Sequence, residues 1–222
     1  AQTLAQAVQK QGCCKMAENF WAAGKIHFKY HYWFHLLAAT LFCLAAPFLV
    51  GMEALNFPQT GKVLEFYFSL SGIILLTPLF APDQNRDIRD LLRTREMPFW
   101  WLHLIRLAEA FVSLTVLAVL FLFWMRAGEC RFEFLPCCLG TLATCLFLGG
   151  LGILAASLTD SLPIGYMVSM IYYVCNFGSG RDYLGPFYLF TMTEGTFDGK
   201  MWIGISGILM ILLGILWRRR RI

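Results

Sequence analysis

The sequence is short of charge. Of its 222 residues only 14% are Asp, Glu, Lys or Arg, while 58% are hydrophobic. An ordinary soluble domain carries about 25% charged residues and about 45–50% apolar ones. The sequence also lacks the evenly spaced, alternating runs of barrel strands and the paired cysteine spacings of a zinc site or a disulfide framework. No GxxxxGK[ST], HExxH or GxSxG occurs, and Gly204-Ile205-Ser206-Gly207 is one residue short of the last. These absences exclude a soluble globular domain, a disulfide-built secreted domain, a collagen-like chain and a disordered chain. They also leave the chain without a nucleotide site of its own. The first 30 residues are polar and mixed, unlike a cleavable signal peptide.

What is present is a set of six uninterrupted apolar stretches, each of roughly 17 to 27 residues, enough to cross a hydrocarbon core about 30 Å thick. They run over Tyr32 to Met52, Val63 to Ala81, Phe99 to Met125, Phe134 to Leu158, Leu162 to Gly178 and Met201 to Trp217. Backbone polar groups in lipid must be satisfied within the element, so the spans are expected to be helices. The predicted fold is an all-α membrane protein with six transmembrane helices, residues 32–217, preceded by segment 1–31 and followed by a basic tail, 218–222.

Six crossings put both termini on one side. With both in the cytoplasm, the inner segments hold Lys10, Lys15, Lys25, Lys29, Arg86, Arg89, Arg93, Arg95 and Arg218 to Arg221, twelve of the 18 basic residues. The outer segments hold Lys62, Arg126, Arg131, Arg181 and Lys200, and Arg106 lies within the third span. Lysine and arginine beside spans are retained on the cytoplasmic side, so this bias predicts an N-in, C-in chain. Before the first span, Leu4, Val8, Met16, Phe20, Trp21 and Ile26 recur at roughly helical spacing among Gln9, Lys10, Lys15, Glu18 and Lys25, the pattern of a helix lying in the membrane interface. The eight cysteines, Cys13, Cys14, Cys43, Cys130, Cys137, Cys138, Cys145 and Cys175, lie mostly in or beside spans and read as small buried hydrophobes. Acylation of Cys13 and Cys14 is the alternative for that pair.

Four groups of residues could carry function. The charged segment between the second and third spans, Pro82 to Pro98, has Asp83 to cap a helix and Pro98 to end it. Ile88, Leu91 and Leu92 share one apolar face within it. Such a helix suits a groove on a soluble partner, or rests on the protein's own inner surface. In the third span His103, Arg106 and Glu109 step by three and share a face. Pairing of Arg106 with Glu109 would lower the cost of both, and a proton or ion pathway is the other reading. Glu65 is expected near the outer end of the second span, within reach of water or headgroups. In the fifth span Tyr166, Ser169, Tyr173 and Asn176 fall on one helical face, and the second span offers Ser69, Ser71 and Thr77. These hydroxyls and amides face either a transported molecule or neighbouring helices.

Small residues in the fourth span (Gly140, Gly149, Gly150, Gly152, Ala155, Ala156) and the sixth (Gly207, Gly214) allow close helix approach. The outer connection, Ser179 to Lys200, contains an apolar patch, Tyr183 to Phe190, around Gly185 and Pro186. It is either a surface loop or a re-entrant piece, the latter permitted only where protein covers its backbone.

This layout resembles the membrane subunits of type-2 ATP-binding-cassette exporters, the G-type or type V architecture. The likeness lies in the interfacial helix before the first span, six spans with both ends inside, the inner segment PDQNRDIRDLLRTREMP, the outer segment YLGPFYLF, and the small-residue-rich stretch LGILAASLTDSLPIGYMVSMIYY. It implies that Ile88, Arg89, Leu91, Leu92 and Arg93 form a coupling helix that docks on a separate cytosolic ATPase. It implies that the second and fifth spans, with Ser69, Thr77, Tyr166, Ser169, Tyr173 and Asn176, line a path between two permeases, either two copies of this chain or a homologous pair. The chain would then be a transport subunit and not an enzyme, binding no cofactor itself, with ATP and Mg held by the partner ATPase. Its surroundings would be the lipid of a bacterial plasma membrane, and nucleic acid would not be a partner. Two other classes remain: a membrane-embedded enzyme or accessory protein, and a b-type haem protein using His35 and His103, the only span histidines.

Overall fold

The computed structural model describes residues 32–51, 54–84 and 99–221, and every regular element among them is helical. Helix α1 covers Trp33–Val50. A second rod starts with α2 (Phe57–Lys62), passes through a π-helical turn (Val63–Phe68), continues as α3 (Ser69–Leu76) and tightens into a 3-10 segment, Thr77–Gln84. Then follow α4 (Phe99–Ala127), α5 (Phe134–Thr159), α6 (Leu162–Leu184) and α7 (Lys200–Arg221), with short 3-10 turns at Gly185–Phe187 and Met192–Glu194. Five helices are long and apolar enough to cross a membrane: Trp33–Val50, Phe57–Ala81, Leu102–Ala127, Phe134–Thr159 and Lys200–Arg218. Helix α6 has 23 residues but, with four tyrosines and Asn176, is not among those five. The expected interfacial segment 1–31 and the coupling residues Ile88, Arg89, Leu91, Leu92 and Arg93 lie outside the described residues.

The second rod starts six residues earlier than expected. Asn56 sits before it in an extended conformation, its amide donating to Gln59 Oε1 at 3.0 Å, and Pro58 occupies the first turn, where its missing N–H costs nothing. The rod then loses regularity for a visible reason: neighbouring hydroxyls and a thiol take its carbonyls. Ser69 Oγ donates to Glu65 O, Ser71 Oγ to Phe68 O, and Tyr173 Oη to Phe66 O, while Cys145 Sγ approaches Phe68 O at 4.0 Å. Groups inserted into the helical ladder widen or tighten it locally. Pro78, which cannot donate back to the preceding turn, marks the start of the 3-10 end.

The core is built around α5 and the second rod. Their apolar windows are 72% and 83% buried, against 17% for α1 and 28% for the α4 window. Glycine makes this possible. A Cβ on Gly207 of α7 would lie 2.7 Å from Phe147 N, and one on Gly150 of α5 would lie 2.6 Å from Gly207 O. The small stripes of the fourth and sixth spans therefore bring backbone against backbone, as their composition predicts. Helix α6 runs antiparallel to α5: Gly165 lies against Gly152, Ser169 Oγ donates to Leu148 O at 2.9 Å, and Asn176 lies beyond. Helix α1 stands on the outside, joined by Tyr67 Oη donating to Phe42 O and by the stacked rings of Phe42 and Tyr67. Its Trp33, Phe34, Leu37, Leu41, Leu44 and Phe48 are exposed, an apolar surface suited to contact with lipid.

Candidate functional site

Among the described residues the most concentrated chemistry is an ionic hub joining the π-helical turn, the connection between α6 and α7, and the start of α7. Glu65 points inward from the turn and is fully buried. Its Oε1 accepts from Lys200 Nζ at 2.5 Å and from the backbone N–H of Met192 at 2.9 Å. Its Oε2 accepts from the N–H and the hydroxyl of Thr193, each at 2.9 Å. Lys200 is also buried, and its ammonium donates further to Thr144 Oγ1 of α5 at 2.8 Å and to Leu189 O at 2.6 Å. The three ammonium hydrogens thus have three partners and the carboxylate accepts four bonds. Complete satisfaction of this kind is what allows opposite charges to persist where neither meets water.

Local sequence explains the placement. Gly199 holds φ +81°, and a Cβ there would lie 2.8 Å from Pro186 O, so only glycine lets the chain turn into α7 and aim Lys200 inward. On the facing element Gly61 lets Met192 O approach to 2.6 Å of where its Cβ would be. Between these supports residues 189–192 are buried without being helical over most of their length: Leu189 and Met192 are wholly covered, and Phe190 and Thr191 nearly so. Phe190 lies in a ring cluster, with centroids 4.5 Å from Phe66, 4.8 Å from Phe177 and 5.7 Å from Tyr173. Residues 189–192 of the connection between α6 and α7 are therefore a packed insertion covered by protein. Burial raises the phenol of Tyr188 above its ordinary range, and the charges of Glu194 and Glu65 push it in the same direction.

Sequence reasoning missed this hub. Glu65 was expected to reach water or headgroups, and the structure corrects that: it is dry and paired with Lys200. The legible signal was a carboxylate in one apolar span and an ammonium at the edge of another, both near the same end. The face Tyr166, Ser169, Tyr173, Asn176 turns largely inward: Ser169, Tyr173 and Asn176 are buried and Tyr166 is half-buried. Tyr173 is bonded to Phe66 O, and Asn176 donates to Tyr172 O at 2.8 Å and accepts from the N–H of Leu189 at 3.0 Å. Ser69 and Thr77 are buried as well, and Thr77 meets Ser169 across Gly152, whose Cβ would lie 2.5 Å from one hydroxyl and 2.8 Å from the other. Of the six, Thr77 with Ser169 and Tyr173 with the carbonyl of Phe66 meet between α6 and the second rod, whereas Ser69 bonds within its own rod to Glu65 O and Asn176 reaches Leu189.

A second charged cluster lies at the opposite end of α7. Arg218 is buried, bonded to Asp160, with its guanidinium 5.6 Å from the Phe80 ring centroid. His103, also buried, meets Phe80 edge-on at 5.0 Å, and Arg106 is buried one turn further along α4. Glu109 is half-buried on the same helix. Asp160 adopts the left-handed conformation that closes α5. Helix α7 runs on through Arg221, so the first arginine of the expected tail belongs to the packed bundle.

No protein-family model, curated protein or solved structure matches this chain. Among the described residues no group of three His, Cys, Asp or Glu side chains could hold a metal ion. The described cysteines Cys43, Cys130, Cys137, Cys138 and Cys145 are buried, and Cys175 is exposed.

Proposed function

We propose that the chain is the permease subunit of an ATP-binding-cassette exporter, forming half of a transmembrane path and driven through alternating access by a separate cytosolic ATPase. The observation that carries this reading is the order along the chain: an apolar helical bundle, a charged sequence, Pro82 to Pro98, between its second and third long apolar runs, and a covered insertion before the last helix. In this reading the chain crosses a bacterial plasma membrane six times with both termini inside, and α6 is the fifth crossing. Two ion pairs support that topology, since Glu65 with Lys200 and Asp160 with Arg218 each join residues it places on one side.

The coupling helix would be built from Ile88, Arg89, Leu91, Leu92 and Arg93, docking on the ATPase that binds ATP and Mg. ATP can shift the bundle between inward and outward states only through a difference in how that ATPase docks to each. A second permease would face this one across the second span and α6, whose Met167, Ile171 and Val174 are exposed. Ser69, Thr77, Ser169, Tyr173 and Asn176 then hold the wall of the path, with Tyr166 at its edge.

Purification of the tagged chain from its native membrane in mild detergent tests the reading. Stoichiometric recovery of an ABC ATPase is the expected result, and a second membrane subunit recovered with it would distinguish a heterodimer from a homodimer. Recovery of the chain alone after crosslinking would overturn it. Leu91→Asp should abolish ATPase association while the membrane level of the protein stays normal.

A further inference from the structure

We infer that Glu65 and Lys200 are a latch, and that residues 188–196 form a plug which leaves its seat between the second rod and α7 as one unit while the helices stay folded. The inward-pointing backbone groups of this segment are held by side chains from three different elements and not by a continuous ladder. The N–H of Leu189 is taken by Asn176 of α6, those of Met192 and Thr193 by Glu65, and the carbonyl of Leu189 by Lys200. Side chains can release such groups without unwinding any helix. Within the segment Glu194 and Thr196 donate to Thr191 O and Gly195 to Met192 O, bonds that hold its shape when it moves, and at its start Tyr188 N–H donates to Gly185 O.

Pivots flank it. Gly185 and Gly199, on either side, have positive φ, and at Gly185 nothing lies within 4 Å of where a Cβ would be. The seat is lined by what the plug inserts: Gly61 and Gly140 against Met192, and Phe66, Tyr173 and Phe177 around Phe190. With the plug seated, Lys200 and Glu65 neutralise each other in the dry interior; with it lifted, both would gain water. The pair therefore favours the seated state only while it is intact, a two-state arrangement with few-residue pivots. That the plug closes the outer mouth of a transport path rests on the permease reading; that it is latched does not.

Hydrogen exchange read by mass spectrometry on the full chain in lipid nanodiscs, without any ATPase, tests the latch. In Glu65→Gln one acceptor is replaced by an NH2 group facing the Thr193 N–H, and Lys200 loses its counter-charge. Exchange in peptides spanning 187–199 should quicken on the order of tenfold, with α5 and the second rod exchanging as in the unmodified chain. Unchanged exchange in 187–199, or acceleration there only in step with α5, would overturn the latch. If Glu65→Gln does not fold, Thr193→Val, which removes only the hydroxyl bond to Glu65, should quicken the same peptides a few-fold; no change there would overturn it equally. Failure of ATPase recovery, by contrast, would sink the permease reading and leave this result untouched.

Discussion

Lys200 and Glu65 are not interchangeable, although they form an ion pair. The carboxylate serves the ammonium, two backbone N–H groups and a hydroxyl, all of them donors, while the ammonium also serves a carbonyl and a threonine oxygen. Placing lysine at 65 would set a donor against Met192 and Thr193, and glutamate at 200 would set an acceptor against Leu189 O. Breaking a buried pair by removing one partner costs about 3–5 kcal/mol. Lys200→Met should therefore lower the thermal midpoint of the detergent-solubilised protein strongly, as followed by fluorescence-detected size exclusion. The reversed double variant, Glu65→Lys with Lys200→Glu, should do no better than the single one. Recovery of the original midpoint by the reversed pair would show that charge neutralisation alone is at work and that the backbone contacts matter little.

At the scale of elements, the glycines divide into those that carry packing and those that do not. Gly207 puts α7 backbone against Phe147 of α5, so alanine there must push the two helices apart. Overpacking costs about 1–3 kcal/mol against about 0.5–1 kcal/mol gained by replacing a helical glycine, and Gly207→Ala should be net destabilising. Gly178 lies in α6 with nothing within 4 Å of its Cβ position, so Gly178→Ala should hold or slightly raise the thermal midpoint. Equal effects of the two substitutions would contradict the observed packing.

The same elements show what the sequence could and could not reveal. Long apolar runs mark α1, α4, α5 and α7 to within a few residues, because lipid imposes length and apolarity together. The small-residue stripes that join α5 to α7 are equally visible. The start of the second rod was missed because Asn56, Pro58 and Gln59 are polar punctuation that hydropathy overlooks. Its π-helical turn was invisible, since it depends on Ser69, Tyr173 and Cys145 reaching carbonyls, two of them from distant parts of the chain. Glu65 was legible as a charge in an apolar run but not as half of a pair, because its partner lies 135 residues further on and loop geometry alone brings it in.

For the whole molecule the decisive question is whether α6 crosses the bilayer, because that determines whether Asp160 and Lys200 lie on opposite sides. Composition argues against a crossing, and packing argues for one. Gly165, Ser169 and Asn176 lie successively against Gly152, against Leu148 and beside Leu189, whose carbonyl accepts from the Lys200 ammonium that also donates to Thr144 of α5; α6 thus travels the length of α5 in the opposite direction. Of its polar residues Ser169, Tyr173 and Asn176 are buried on this inner face. Its outer face, with Met167, Met170, Ile171, Val174 and Phe177, is apolar and exposed. A 23-residue helix is about 34 Å long, enough for the hydrocarbon core. A periplasm-active reporter fused after Asp160 should therefore be silent, and one fused after Gly195 should be active. Two reporters of equal activity would place both ends of α6 on one side, remove the sixth crossing, and with it the N-in, C-in arrangement that the arginine distribution predicts.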